Sequence, residues 1–442
     1  MPEIRPFRAL RFDPSAVGDL GLVTAPPYDV IALDERRRLV ARHPANVVRL
    51  DLPADELGDG PDDRYRRAAR TLAAWRSDGT LRKDPHPSVY VYEQRYRVPG
   101  SGEERTQRGF FARLRLEPLG SDGGVLPHER TLAGPREDRY KLLRATGVNT
   151  SPVIGLYEDE TGSAERSLLD VTRRPPLIEV TDDEGVRHRL WPVASDGETD
   201  EAHLAATLMT AASSGPVTIA DGHHRYETAL RYRDERRMTR SCDEDPAFDY
   251  LLMLFLDARG PLTVLPTHRL MRGIGDEAAR RLLDSAAELF VVEPVERAQD
   301  VIHFADRSST GDADVGGRGR FGLWTRAGGA LLTARRAAFS GHLPPGGEAL
   351  RRLDVTLLGI ALERLLGLGP DAIAAGAVEY TKSASDAIAS VDSGDSDAAI
   401  LLEPTPVAAI IDVARDGDVM PQKSTYFYPK ALTGLVINPH EW

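Results

Sequence analysis

Residues 217–230, Val-Thr-Ile-Ala-Asp-Gly-His-His-Arg-Tyr-Glu-Thr-Ala-Leu, restrict the fold of this chain more than any other stretch. A short apolar run ends at Asp221-Gly222, and a polar run with helical character opens at once. The pattern predicts a strand turning sharply into a helix, with Gly222 allowing both a tight turn and close approach of a ligand. The first N–H groups of a helix lack intrahelical acceptors and lie at the positive end of its dipole, so anions settle there. His223, His224 and Arg225 add side-chain donors at the same place. Asp221 stands where an N-cap belongs, and it can equally orient a substrate hydroxyl or a metal ion. A capped helix with surface histidines is the plain alternative. Four polar groups in one strand-to-helix turn point instead to a phosphate or nucleotide site.

At 442 residues the chain is long enough for two or three domains, and 41% hydrophobic with 28% charged residues is the make-up of a soluble globular protein. No apolar run approaches the roughly 20 residues that cross a bilayer. The N-terminus, Met1-Pro-Glu-Ile-Arg-Pro-Phe-Arg8, lacks the apolar core of a signal peptide. A cytoplasmic protein without a membrane partner is the expectation. Cys242 is the single cysteine, which excludes disulfides, zinc knuckles and iron–sulfur clusters, and its acidic neighbours disfavour a thiolate nucleophile. The net charge of −12 argues against indiscriminate binding to nucleic acid. Only five of the 56 basic residues are lysine: Lys83, Lys141, Lys382, Lys423 and Lys430. Where arginine fills most basic positions, a lysine marks a place that wants a compact, rotatable ammonium.

Periodicity predicts helices over residues 33–42, 62–78, 202–212, 273–289, 349–365, 383–391 and 406–414. Strands are expected at 153–157, 177–180, 187–192, 248–257, 290–295, 377–380 and 398–402, with a hairpin of 89–98 and 108–116 around Pro-Gly-Ser-Gly. A loop is expected over 311–319. The whole reads as α+β, mainly antiparallel before the key turn and alternating after it. Four segments are expected: 1–85, a strand-rich 86–198, a core at 199–272 and a C-terminal α/β region at 273–442.

Three further constellations carry chemistry. In residues 126–144, His128 and Glu129 sit in a loop, and Arg136, Arg139 and Lys141 follow in a helix-like run. A carboxylate beside basic groups suits phosphoryl transfer, although a solvated charged helix explains the run as well. In the tail, Lys423, Ser424, Thr425, Tyr426, Tyr428 and Lys430 crowd together and can either clamp a nucleotide by charge and stacking or tack down the C-terminus. In residues 24–31, Tyr28 and Asp29 follow paired prolines that fix a rigid turn. Thr381-Lys-Ser383 and Thr267-His-Arg269 are weaker signals. No phosphate loop, Gly-x-Gly-x-x-Gly fingerprint, zinc helix or serine elbow occurs. His223 and His224 are adjacent, so one metal cannot take both from a helix.

The motifs Ala25-Pro-Pro-Tyr-Asp-Val30, Pro127-His-Glu129, 134–143 with Ala145-Thr-Gly, 220–227, Leu265-Pro-Thr-His-Arg269, Tyr380-Thr-Lys-Ser383 and 420–430 resemble a bacterial family known as "domain of unknown function 1015". The Asp-Gly-His-His-Arg turn separately resembles the second signature box of the ParB/sulfiredoxin superfamily, which includes free-serine kinases. That resemblance implies a ParB/sulfiredoxin-like core carrying a large strand-rich insertion and a C-terminal α/β portion. It also implies that Gly222, His223, His224 and Arg225 hold nucleotide phosphate, with Asp221 catalytic or metal-orienting. Histidine stands where sulfiredoxin has cysteine, so sulfinic reduction is not implied.

The expected function is therefore a nucleotide-dependent phosphotransferase acting on a small hydroxylated metabolite, with free L-serine the first candidate. Asp221, His223, Glu129 and Asp29 are the expected catalytic residues, Glu129 or Asp29 serving as base. Gly222, His224, Arg225, His128, Arg139, Lys141, Lys423, Ser424 and Tyr426 are expected to bind the nucleotide and its phosphates. ATP or ADP would bring Mg²⁺, held mostly by the phosphates, and no dedicated protein metal site is expected. Two alternatives stay open: a CTP-type nucleotide-binding or DNA-associated regulator, and a phosphatase using a histidine of the same turn.

Overall fold

The structure, a computed structural model, describes residues 1–120, 123–129, 133–239, 244–307, 319–369, 372–373 and 375–442. Cys242, and the loop expected over 311–319 except Gly319 itself, lie outside these residues. The fold is mixed α+β, as expected. Among the described residues no helix is long and apolar enough to cross a membrane.

Strand Tyr250–Asp257 shows how the architecture arises. Its side chains alternate between two cores: Leu252, Leu254 and Leu256 enter one, Leu251, Met253 and Phe255 the other. Alternation with both faces buried is what a central strand covered on both sides requires. This strand belongs to a nine-stranded sheet ordered Val125–Leu126, Val217–Asp221, Val153–Tyr157, Tyr250–Asp257, Glu104–Arg115, Ser88–Arg97, Arg187–Ala194 and Ile178–Thr181, with Ile4–Arg5 also on Glu104–Arg115. The predicted hairpin is present, Ser88–Arg97 pairing antiparallel with Glu104–Arg115. One face is covered by helices that include His223–Thr239 and Asp200–Ala212, through Tyr226, Ala229, Tyr232 and Leu208. Each such fully buried large apolar side chain contributes about 1.5–3 kcal/mol.

The expected boundary at residue 198 falls inside this sheet. Segments 86–198 and 199–272 both supply its strands, so the strand-rich region is not a separate unit beside the core. The reason is edge pairing: Val217–Asp221 is flanked by Val125–Leu126 and Val153–Tyr157, and without them its backbone groups would be left open.

A second, six-stranded sheet runs Phe290–Val295, Gly328–Ala334, Arg320–Thr325, Ala398–Leu402, His268–Met271 and Val378–Thr381. Its first strand in sequence, His268–Met271, lies in the segment expected to end at 272. The helix expected over 349–365 is interrupted. Glu348–Arg352 and Asp354–Leu366 meet at Leu353, whose backbone is extended at φ −63°, ψ 137°. The C-terminal tail leaves this sheet and pairs with earlier parts of the chain. Tyr426–Tyr428 pairs with Thr263–Leu265, and Asn438–Pro439 with Val148–Asn149. Buried Arg113 fixes the chain end, donating from Nε to Asn438 Oδ1 at 2.6 Å and from Nη2 to the Pro439 carbonyl at 2.6 Å.

Candidate functional site

Two adjacent parallel strands bring the first two sequence motifs together. Val217–Asp221 pairs with Val125–Leu126, Val217 opposite Val125 and Thr218 opposite Leu126. Both chains leave the sheet at their carboxyl ends, where ligands of α/β sheets characteristically bind. One exit leads to His128 and Glu129, the other to Asp221 and Gly222. On its other side the strand pairs with Val153–Tyr157, and a register shift between Ile219 and Asp221 re-aims Asp221 as a bulge does.

Helix His223–Thr239 begins right after Gly222, its first bond running from the Tyr226 N–H to the Gly222 carbonyl at 3.0 Å. Gly222 has φ +92°, and a Cβ there would stand 3.0 Å from the Arg225 guanidinium. Glycine is therefore required twice, by the left-handed backbone and by the arginine folded over it.

Asp221 joins three parts of the chain. Its Oδ2 accepts from Arg225 Nη2 at 2.5 Å and its Oδ1 from Lys430 Nζ at 2.7 Å. Arg225 also donates to the Pro152 carbonyl. Burial alone would raise the Asp221 pKa, but the Lys430 and Arg225 charges outweigh it and hold the carboxyl well below its ordinary range. Asp221 is thus a fixed anion, with each oxygen engaged by a cation.

The histidines are buried and neutral. Burial pushes His128 down to about 4 and His223 well below its ordinary value. His128 Nδ1 faces the Ile219 carbonyl, which can only accept, so Nδ1 carries the proton and Nε2 accepts from Thr425 Oγ1 at 3.1 Å. His223 Nε2 accepts the His128 backbone N–H at 3.2 Å, and the two rings meet edge-on at 4.7 Å.

Glu129 differs from Asp221 in its surroundings. Burial raises its pKa, opposed by the Lys423 N–H, which donates to Glu129 Oε1 at 3.1 Å. Lys423 itself has φ +57°, uncommon for a residue with a side chain. The conformation is held from both ends, by Glu129 on its N–H and by Thr267 Oγ1 (2.5 Å) and Arg269 Nη2 (3.3 Å) on its carbonyl. Such a position costs about 1–3 kcal/mol and clusters at functional sites.

These groups surround a cavity of about 630 Å³. Of the residues picked from sequence, Asp29, Glu129, Asp221, Gly222, His223, His224, Arg225, Lys423 and Tyr426 line it. Four do not. His128 lies behind the wall and supports His223. Arg139 is buried with its guanidinium on Asp138 and the Asp51 carbonyl, stacked 3.9 Å from the Tyr28 ring centroid. Lys141 is on the surface, paired with Asp62 at 2.8 Å. Ser424 turns inward to the Pro421 carbonyl. Arg139 and Lys141 are two residues apart on helix Ala133–Thr146, so they cannot share a face. Arg139 therefore serves the cavity only by clamping Tyr28, and Lys141 does not reach it.

Lys430, which the sequence placed only in the tail segment, and Lys382, in the weaker Thr381-Lys-Ser383 signal, were given no individual role, yet both line the cavity. Their ammonium groups stand 4.4 and 4.1 Å from the Tyr426 ring centroid. The scarcity of lysine was the available signal, since three of the five lysines lie here. Among the described residues no group of three or more His, Cys, Asp or Glu side chains is arranged to hold a metal ion.

The chain belongs to the family described as protein of unknown function, DUF1015, which it matches over residues 4–356. No curated protein matches its sequence. Among solved structures it is similar to a conserved hypothetical protein from Pyrococcus furiosus, at 13% identity over 72% of this chain and 90% of that one, with TM-score 0.34. A free serine kinase mutant in complex with AMP is similar at 13% identity over 72% of this chain and 86% of that one, with TM-score 0.37. SbnI from Staphylococcus aureus, truncated at its C-terminus, is similar at 8% identity over 73% and 87%, with TM-score 0.32.

Proposed function

We propose that this cavity binds a nucleotide by its phosphates and transfers a phosphoryl group to a small hydroxylated metabolite, with free L-serine the first candidate acceptor. In this reading Val217–Asp221 and the helix after it form a ParB/sulfiredoxin-like phosphate cradle. The observation that carries the reading is Glu129, a half-buried carboxyl with a raised pKa that opens into the same cavity as a helix N-terminus and a set of lysines.

Each residue has a task that its surroundings suit. The N–H groups after Gly222 and the Arg225 guanidinium take phosphate oxygens. Glu129 accepts the proton of the acceptor hydroxyl as its oxygen attacks the terminal phosphorus. The bond from that phosphorus to the bridging oxygen breaks, and the shortened nucleotide leaves with that oxygen and its electron pair. A raised pKa makes Glu129 a stronger base than an exposed carboxylate. Asp221 is saturated by Arg225 and Lys430, so it organises these cations rather than taking a proton. With no protein cage for a metal among the described residues, Mg²⁺ enters as part of the nucleotide substrate. Asp29, exposed and lining the cavity, is a carboxylate suited to positioning that complex.

At His223 a phosphohistidine route draws no support from the geometry. The Nε2 of His223 is occupied by the His128 N–H, and its Nδ1 carries the ring proton. A regulator that binds nucleotide without turnover is separated from a kinase by one assay. Wild-type protein with Mg²⁺, ATP or ADP and a panel of hydroxy amino acids should yield a phosphorylated acceptor in step with nucleotide consumption. Glu129→Gln should lower turnover by about 10²–10⁴-fold while nucleotide still binds. Binding without any consumption identifies the regulator, and full turnover in Glu129→Gln removes Glu129 as the base.

A further inference from the structure

Lys382 sits in the link Thr381-Lys-Ser383, between the edge strand Val378–Thr381 and helix Ala384–Asp392. Its backbone is fixed on both sides. Thr381 is paired with His268 across the sheet, Thr381 Oγ1 accepts the Ser383 N–H at 3.3 Å, and Ser383 Oγ caps the helix by accepting from the Asp386 N–H at 3.1 Å. The same strand pairing positions Thr267, whose hydroxyl holds the Lys423 carbonyl. One edge of the second sheet therefore controls two of the lysines that line the cavity.

The charge around Lys382 is incomplete. Tyr426 has two ammonium groups close to its ring, those of Lys382 and Lys430. Lys430 is answered by Asp221 at 2.7 Å. Among the described residues Lys382 forms no ion pair, and the carboxylate acting on it from a distance is Glu184. Burial lowers its pKa, opposed by Glu184 and assisted by Lys430. Lys382 is exposed where it lines the cavity, and the Tyr426 ring beneath it, with a second cation beside it, gives its charge no counter-ion. An anion in the cavity supplies what is missing.

We propose that Lys382 is a phosphate ligand of this cavity, so that a bound phosphoryl group is gripped by the Gly222–Arg225 turn of the first sheet and by Lys382 of the second. The proposal rests on the cavity being a phosphate site, and it makes the bound ligand a bridge between the two sheets. The probe is inorganic pyrophosphate, titrated by calorimetry into the full chain alongside ATP and ADP. Wild type binds pyrophosphate, Lys382→Ala weakens it about tenfold or more, and the salt dependence of binding becomes shallower. Lys382→Arg, which keeps the charge, recovers part of the loss, which a merely structural role would not allow. Lys382→Met keeps the stem against Tyr426 and serves if the alanine variant fails to fold, as judged by apo melting temperature. Unchanged pyrophosphate affinity in the folded variants overturns the proposal, as does a wild type that binds no pyrophosphate. Pyrophosphate binding that depends on Lys382, without any binding of ATP or ADP, leaves the proposal standing and removes the nucleotide reading instead.

Discussion

Two walls of one cavity handle charge in opposite ways. On the wall built from Val217–Asp221 and helix His223–Thr239, Asp221 lies between Arg225 and Lys430, and all three side chains are at most 17% exposed. On the wall supplied by the second sheet and the tail, Lys382 and Lys423 line the same space, and neither forms an ion pair among the described residues. The first wall is internally paired, one carboxylate between two cations, and set before any ligand arrives. The second carries positive charge that a ligand completes. Preorganised dipoles and cations on one side, with unanswered cations on the other, suit a polyanion held from two directions.

The contrast is broken most severely at Asp221. Asp221→Asn leaves Arg225 and Lys430 buried without their anion, and losing one partner of a buried ion network costs about 3–5 kcal/mol. We expect a large fall in the denaturation midpoint together with loss of nucleotide binding. A variant that melts like wild type would mean that the first wall is not organised by this carboxylate. The pH dependence has the same sign. A carboxyl held below its ordinary value of 3.8 stabilises the fold above that pH, and the stabilisation is lost as pH falls below it.

A second, milder acid effect comes from the histidine support behind that wall. His128 titrates at about 4 when folded, against 6.5 ordinarily, so the unfolded chain takes up the proton first. Stability contributed by the neutral ring is complete above pH 6.5 and is lost as pH falls from 6.5 to about 4, at about 1.4 kcal/mol per pH unit for one proton. His128→Asn keeps a donor for the Ile219 carbonyl but cannot titrate. Urea denaturation at pH 7, 6 and 5 should show a shallower acid loss for this variant, even though it starts from a lower stability. Equal slopes would show that His128 is not buried neutral.

The smallest effect is expected outside both walls. The Lys141 side chain is 38% exposed and its partner Asp62 46%, so Lys141→Ala should change stability by no more than about 0.5 kcal/mol and leave nucleotide affinity unchanged. A marked loss of affinity would draw Lys141 back into the site.

Local chemistry was legible in the sequence wherever it is carried by neighbours in the chain. The turn at Asp221-Gly222, the hairpin of Ser88–Arg97 with Glu104–Arg115, and helix Leu33–Arg42 were all readable from period and turn residues. What joins them was not. The Lys430–Asp221 pair spans 209 residues and depends on a tail whose Lys430 carbonyl accepts from Gln94 of the first sheet, which no periodicity encodes. Lys382 was only a weak motif, because its role follows from strand pairing with His268–Met271 rather than from its neighbours. Arg139 and Lys141 were overread for a related reason. A cluster of basic residues along a sequence separates onto different helix faces; Arg139 pairs with its own neighbour Asp138 and with distant Asp51, and Lys141 with distant Asp62.

The most direct test of the two-wall cavity is a crystal structure of the full chain with a non-hydrolysable ATP analogue and Mg²⁺. The account predicts the phosphate chain within hydrogen-bond reach of the backbone N–H groups after Gly222 and of Arg225, with Lys382 and Lys423 closing on it from the other wall. An analogue seated away from the Asp221–Arg225 turn, or this cavity left empty at saturating analogue, would contradict it.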